Sequence, residues 1–144
     1  MKKLLLIASS VLLTLSCGTS DDSSSNNSNN NSSSKITPPT WIQGTYYQVF
    51  EGSETKRFGY KFYSNDLCVL QYTHENCMQG SIDIYQGTNV YTNVEQSITD
   101  TEYKCTITIQ SQKLNYHFQK VSDNTIKDVN MSNSSGTTVL LKKE

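Results

Sequence analysis

Four cysteines, two histidines and thirteen carboxylates hold most of the chemistry this chain of 144 residues is able to do. His74, Glu75 and Cys77 fall within four positions, with His117 the other histidine. A zinc site needs three or four closely spaced ligands. That count favours polar residues at a loop tip beside a structural cysteine, so no metal and no cofactor are expected. Cys105 with His117 would make a thiolate–imidazole pair, but alternation points Cys105 inward and His117 outward. Glu51 with Glu54, and Asp100 with Glu102, are spaced for paired acid–base work. Their turn-rich surroundings read instead as solvated surface charge. The chain carries no P-loop, no dinucleotide-type glycine turn and no Gly-x-Ser-x-Gly elbow. The expectation is a protein that is not an enzyme.

Cys17 stands apart from the other cysteines, which leaves Cys68, Cys77 and Cys105 to share at most one bridge. Cys68–Cys77 is the preferred pair, closing a short loop through residues 73–76. A Cys68–Cys105 bridge between strands is the rival. With the preferred pairing Cys105 is a small buried hydrophobe beside Tyr103 and Ile107.

Tyrosine is abundant, with nine in the chain. Tyr46, Tyr47, Tyr63, Tyr72, Tyr85, Tyr91 and Tyr116 are candidate ligand contacts, because a phenol offers an apolar face and a hydrogen-bonding tip. The competing account is packing: eight strands in a small barrel leave room for little beyond side chains. Packing is the preferred reading for most of them.

The elements that must hold these side chains read as strands. Phe58, Tyr60 and Phe62 alternate with polar neighbours or glycine. So do Ile82 and Ile84, then Tyr103, Cys105, Ile107 and Ile109, then Leu114, Tyr116 and Phe118. Strict alternation marks strands with one dry and one wet face. Alanine is missing after residue 8, and threonine, isoleucine, valine and aromatics dominate. Turn residues divide the runs into strands at 42–50, 57–63, 67–72, 80–85, 89–95, 102–110, 113–121, 125–131 and 137–142. No stretch keeps a helical apolar stripe. The expected fold is all-β: a single antiparallel up-and-down meander of about eight strands closing as a small barrel, with a β-sandwich as the alternative. With 12 Lys or Arg against 13 Asp or Glu there is no basic stripe, which argues against nucleic acid as a partner. A monomer is expected.

Lys2 and Lys3 precede a mostly apolar run over residues 4–15. It is too short to span a bilayer and matches the core of a secretory signal. Leu13-Thr14-Leu15-Ser16-Cys17 resembles the lipobox of bacterial lipoproteins. The resemblance implies a signal peptide over 1–16 and a lipid on Cys17, hence attachment to a membrane. Ser20-Asp21-Asp22 is similar to the surface-export signal of Bacteroidota lipoproteins, which implies an outer-membrane, surface-exposed location. Residues 23–34 are serine and asparagine throughout, with nothing apolar to offset ordering. Residues 17–40 are therefore expected to form a disordered tether, and 41–144 the folded domain.

Trp41-Ile42-Gln43-Gly44-Thr45-Tyr46-Tyr47 and Gly59-Tyr60-Lys61-Phe62 resemble the opening strands of lipocalin-like domains in small Bacteroidota lipoproteins. The last strand over 137–142 is like theirs. The resemblance implies noncatalytic binding of a small apolar or glycan ligand. The alternative is a structural or protein-binding surface module, such as an enzyme inhibitor.

Overall fold

The computed structural model describes residues 31–33, 35–50 and 56–144. The signal segment, Cys17, Glu51 and Glu54 lie outside the described residues. So does the expected tether up to residue 30.

Ten strands among the described residues form one antiparallel sheet curled into a half-barrel. They are β1 (Asn31–Ser33), β2 (Gly44–Gln48), β3 (Phe58–Phe62), β4 (Leu67–Gln71), β5 (His74–Cys77), β6 (Thr92–Ile98), β7 (Glu102–Ile109), β8 (Gln112–Ser122), β9 (Thr125–Asp128) and β10 (Val139–Lys143). Their order across the sheet is β1-β6-β7-β8-β9-β10-β2-β3-β4-β5. The first domain strand, β2, thus pairs with the last, β10, as in an up-and-down barrel. The sheet ends are β5 on one side and β1 against β6 on the other. Helices α1 (Met78–Asp83) and α2 (Val129–Ser135) interrupt the meander.

Alternation does what the sequence pattern requires. Tyr46, Tyr60, Phe62, Tyr103, Cys105, Ile107, Phe118, Ile126 and Leu141 are buried on the concave face. Tyr60 and Phe62 meet Phe118 edge-to-face, with ring centroids 4.8 and 5.1 Å away, the arrangement that ring quadrupoles favour. Gly59 faces the backbone of β2. A Cβ there would lie 2.1 Å from the Tyr46 carbonyl oxygen, so only glycine lets β2 and β3 pair at this spacing.

Several sequence expectations need correction. The 80–85 segment is not a strand. Met78 and Ile82 are buried one helical turn apart in α1, while Ile84 is 74% exposed. Asp66, twelve residues before α1, accepts the backbone N–H of Gln79 at 2.8 Å and so caps the first turn from a distance. The strand expected at 125–131 stops at Asp128, where α2 begins. The Asp128 side chain accepts the Met131 N–H, and Gly136 closes the helix with φ +70°. The strand expected at 89–95 runs instead over Thr92–Ile98. Residues 74–76, expected in a loop, belong to β5, because the chain reverses at Tyr72-Thr73 with Tyr72 at φ +55°. Nothing in that dipeptide announces a turn. Finally, Leu114 is 45% exposed although it alternates with Tyr116 and Phe118. The first residues of β8 extend past β9 and pair with β7 alone.

The packed body begins ahead of Trp41. Ile36 is fully buried in the core, and β1 adds to the edge of β6. Residues 35–37 form a strap across the gap between the sheet ends. The Ile36 N–H donates to Gln79 Oε1 of α1 at 2.9 Å, and the Thr37 N–H to Gln96 Oε1 of β6 at 2.8 Å. The last part of the expected tether is therefore ordered, because one apolar side chain and a buried amide give it something to gain.

Candidate functional site at the mouth of the half-barrel

The tips of the β4–β5 and β7–β8 hairpins stand at the same end of the half-barrel, as the registers Phe58↔Gln71↔His74 and Ile109↔Gln112 require. Between them the concave face is not filled. Val69 and Gln71 of β4, His74 and Asn76 of β5, and Leu114 and Tyr116 of β8 line a groove of about 250 Å³ with Met78 at its base. The Tyr116 hydroxyl lies 3.4 Å from Met78 Sδ. Burial pushes the Tyr116 phenol up to about 12, so its hydroxyl stays protonated and donates to Met78 Sδ. Apolar surface comes from Val69, Met78, Leu114 and the Tyr116 ring. Polar tips come from Gln71, His74 and Asn76. Such a lining suits an apolar body with one hydrogen-bonding end.

Behind the groove, Tyr60 packs edge-on against Tyr116 with centroids 6.2 Å apart. Its hydroxyl donates to Asp128 Oδ2 at 2.7 Å, inside the core. Burial raises the Tyr60 phenol, and the Asp128 carboxylate adds to the rise. This pair fixes the wall of the groove and does not open into it.

The seven candidate tyrosines do not come together. Tyr116 alone lines the groove. Tyr46 is fully buried, its hydroxyl without a hydrogen-bond partner among the described residues and its phenol raised by burial. Tyr47 faces outward with the Lys56 ammonium 5.1 Å from its ring centre. Tyr63 donates to Glu75 Oε1 at 2.9 Å on the convex face. Tyr85 is half-buried beyond α1, and its carbonyl accepts from Thr88. Tyr72 and Tyr91 are 68% and 62% exposed. Interior packing therefore accounts for Tyr46 and part of Tyr116, not for most of the set. The core tyrosines are Tyr46, Tyr60 and Tyr103. The groove residues that sequence reading missed, Gln71, His74 and Asn76, share one strand face only once β4 and β5 are known to form a hairpin.

The cysteine expectation holds: Cys68 and Cys77 are bridged, directly opposite each other in the β4–β5 ladder. Among the described residues Cys105 is the free thiol, buried on the concave face. Removing the bridge with Cys68→Ala and Cys77→Ala together is expected to lower stability by roughly 2–3 kcal/mol, from the loop entropy restored to the unfolded chain. Urea unfolding of the double variant measures it, and an unchanged midpoint would refute it.

Cys105 and His117 are kept apart by register. Cys105 pairs with Tyr116 on the concave face, and His117 pairs with Lys104 on the convex one. His117 Nε2 sits 3.5 Å from Glu102 Oε1 without forming a hydrogen bond. Glu102 accepts from Gln119 Nε2 at 2.7 Å, which with Lys104 holds its carboxyl below the usual range. Asp100 is exposed in the preceding turn. Alternation also splits His74 from Glu75 and Cys77. Asp66, Cys68 and Cys77 place ligand atoms within 4.8 Å of one another, but both sulfurs are spent in the disulfide and offer no thiolate.

Burial pushes the Cys105 thiol up from 9.0 to about 11, Tyr116 to about 12, and raises Tyr60 and Tyr103 as well. Each holds its proton more tightly folded than unfolded. Their stabilising contribution is complete below the unfolded values and is lost as pH rises through the folded ones. The urea midpoint is expected to fall between pH 9 and 11, with Cys105 alone accounting for roughly 2–3 kcal/mol. In Cys105→Ala the onset should move up toward tyrosine ionisation. A midpoint constant through that window would contradict the assignment.

Comparison with protein-family models, curated proteins and solved structures returns no match for this chain.

Proposed function

We propose that this chain is a lipid-anchored outer-membrane lipoprotein, surface-exposed and monomeric. Its half-barrel binds, without catalysis, a small ligand with an apolar body and a polar end. The observation that carries the ligand reading is the mouth groove, where Val69, Met78, Leu114 and Tyr116 form a dry wall under the polar tips of Gln71, His74 and Asn76. Its volume lies just under the usual range for small-molecule sites, which suits a ligand of about one ring. The membrane reading rests on Lys2, Lys3, the apolar run and Cys17, all outside the described residues.

Leu114→Glu tests the site. Leu114 is 45% exposed, so the charge should leave the fold intact while spoiling the dry wall. Titration with the apolar anionic dye 8-anilinonaphthalene-1-sulfonate should show one saturable site, weakened at least tenfold in the variant, about 1.4 kcal/mol. Equal affinity in both proteins would remove the groove from consideration. Native mass spectrometry of the protein from its producing cells then asks which molecule travels with it.

A second reading is favoured by one observation. Phe50, Tyr72, Tyr91 and Leu114 are exposed at this same end, 40% or more each. Apolar side chains collected at hairpin tips also suit a protein-binding module such as an enzyme inhibitor. The dye titration separates the two, because a flat protein-binding patch gives no single saturable site.

A further inference from the structure

A second cleft lies at the opposite end of the molecule, between the strap, α1 and the β3–β4 turn. We infer that it is a binding site for a neutral polyhydroxyl molecule, of the class of a single sugar ring, and that the strap builds one of its walls. The cleft has a volume of about 320 Å³ and is lined by Lys35, Thr37, Asn65, Gln79, Asp83 and Gln86, beside the buried Ile36.

The chemistry of this lining is unlike that of the mouth. It presents three amides, a hydroxyl, one carboxylate and one ammonium, and no aromatic ring. An apolar ligand would gain little there. A strongly charged ligand would meet both signs, since Lys35 and Asp83 offset each other. A polyol matches, because each hydroxyl both donates and accepts, and amides and carboxylates supply the complementary atoms in fixed planes.

The polar groups are also held in place. Gln79 Nε2 and Gln86 Nε2 both donate to Asp83 Oδ1, at 2.8 and 3.0 Å, which sets the plane of the carboxylate. Its second oxygen then takes the ligand hydroxyl. Gln79 Oε1 holds the Ile36 N–H, and Gln96 Nε2 donates to Thr37 Oγ1 at 3.2 Å and to the Lys35 carbonyl at 3.0 Å. Strap and helix are thus tied to each other and to β6 on both sides of the cleft. The site exists only while residues 35–37 are seated. Ligand in the cleft therefore holds down the segment that leads out of the folded domain toward its N-terminus.

The experiment uses the full chain, titrated with glucose, galactose and N-acetylglucosamine while backbone amide resonances are followed. At least one sugar should give saturable shifts at Thr37, Asn65 and Gln86, with a millimolar dissociation constant. Asp83→Ala and Gln86→Ala, both at exposed side chains, should each weaken it, Asp83→Ala by tenfold or more. Leu114→Glu should leave the sugar titration unchanged, which keeps this site separate from the mouth. Shifts that never saturate with any of the three sugars would overturn the inference. So would shifts confined to Val69, Leu114 and Tyr116, or an Asp83→Ala variant that binds like the parent.

Discussion

Asp128→Ala is expected to destabilise the fold by about 3–5 kcal/mol, combining a lost cap with a buried hydroxyl left only the weak acceptor Met131 Sδ. Asp128 is 2% exposed and serves three elements at once. Its Oδ2 accepts from the Tyr60 hydroxyl of β3 at 2.7 Å. Its Oδ1 accepts the Met131 N–H at 2.9 Å and so caps α2. Its carbonyl accepts the Ser132 hydroxyl, whose oxygen in turn takes the Val139 N–H of β10 at 2.9 Å. Alanine keeps the backbone part of this chain and removes both side-chain bonds. The larger loss is on the Tyr60 side, because that hydroxyl is enclosed by rings and cannot turn to water.

A double-mutant cycle separates these contributions. Tyr60→Phe alone should cost about 1–3 kcal/mol, since it strands Asp128 Oδ2. In the Asp128→Ala background the same change should be near neutral, because it deletes a donor left with only the weak acceptor Met131 Sδ at 3.9 Å. Urea midpoints for the four proteins give the coupling directly. Additive losses would mean that the two groups do not depend on each other. The same variants report on function, since Tyr60 backs the Tyr116 ring at the mouth groove.

Legibility in the sequence followed the range of the forces involved. Strands β3, β7 and β8 show in the residue pattern because alternation is a local consequence of one dry face, while β2, β4, β9 and β10 show as β-rich runs between turn residues. The Cys68–Cys77 bridge was the preferred of two pairings because these cysteines are close in sequence. α2 was legible in principle: Asp128 and Gly136 are a cap and a stop around seven residues. It was hidden because the helix buries Ser132 and presents no apolar stripe. α1 was not legible, since Asp66 caps it through space and Ile84 mimics strand alternation while pointing to solvent. The mouth groove depended on the Tyr72-Thr73 reversal, which uses a tyrosine at positive φ where glycine or asparagine would be the usual signal. Both clefts are products of tertiary arrangement, and their polar residues, amides above all, carry no pattern of their own.

Residues 35–37 offer the sharpest test of where the folded domain begins. A serine- and asparagine-rich segment followed by two prolines reads as linker up to Trp41, yet Ile36 has no exposed surface. Ile36→Ala should lower stability by about 2–4 kcal/mol, as for other aliphatic truncations in a packed core. A chain beginning at Trp41 should lose at least as much. It vacates the same space and also strips partners from Gln96, which is 5% exposed and bonded to the strap through both ends of its amide. Tyr103 would then be left sharing Gln96 Oε1 with nothing else, its hydroxyl 2.9 Å away. Gln96→Leu isolates the polar half of the attachment. Leucine is of similar length but leaves the buried Tyr103 hydroxyl unpaired, which should cost about 1–3 kcal/mol, while the Thr37 amide should exchange with solvent at least tenfold faster, about 1.4 kcal/mol of lost protection. If the chain beginning at Trp41 unfolds at the same urea concentration as the full chain, the strap is a passive lodger and the cleft it walls has no reason to exist. If it unfolds earlier, the last residues of the linker are part of the core, and any pull on the N-terminal segment bears first on Ile36 and the amide of Gln96.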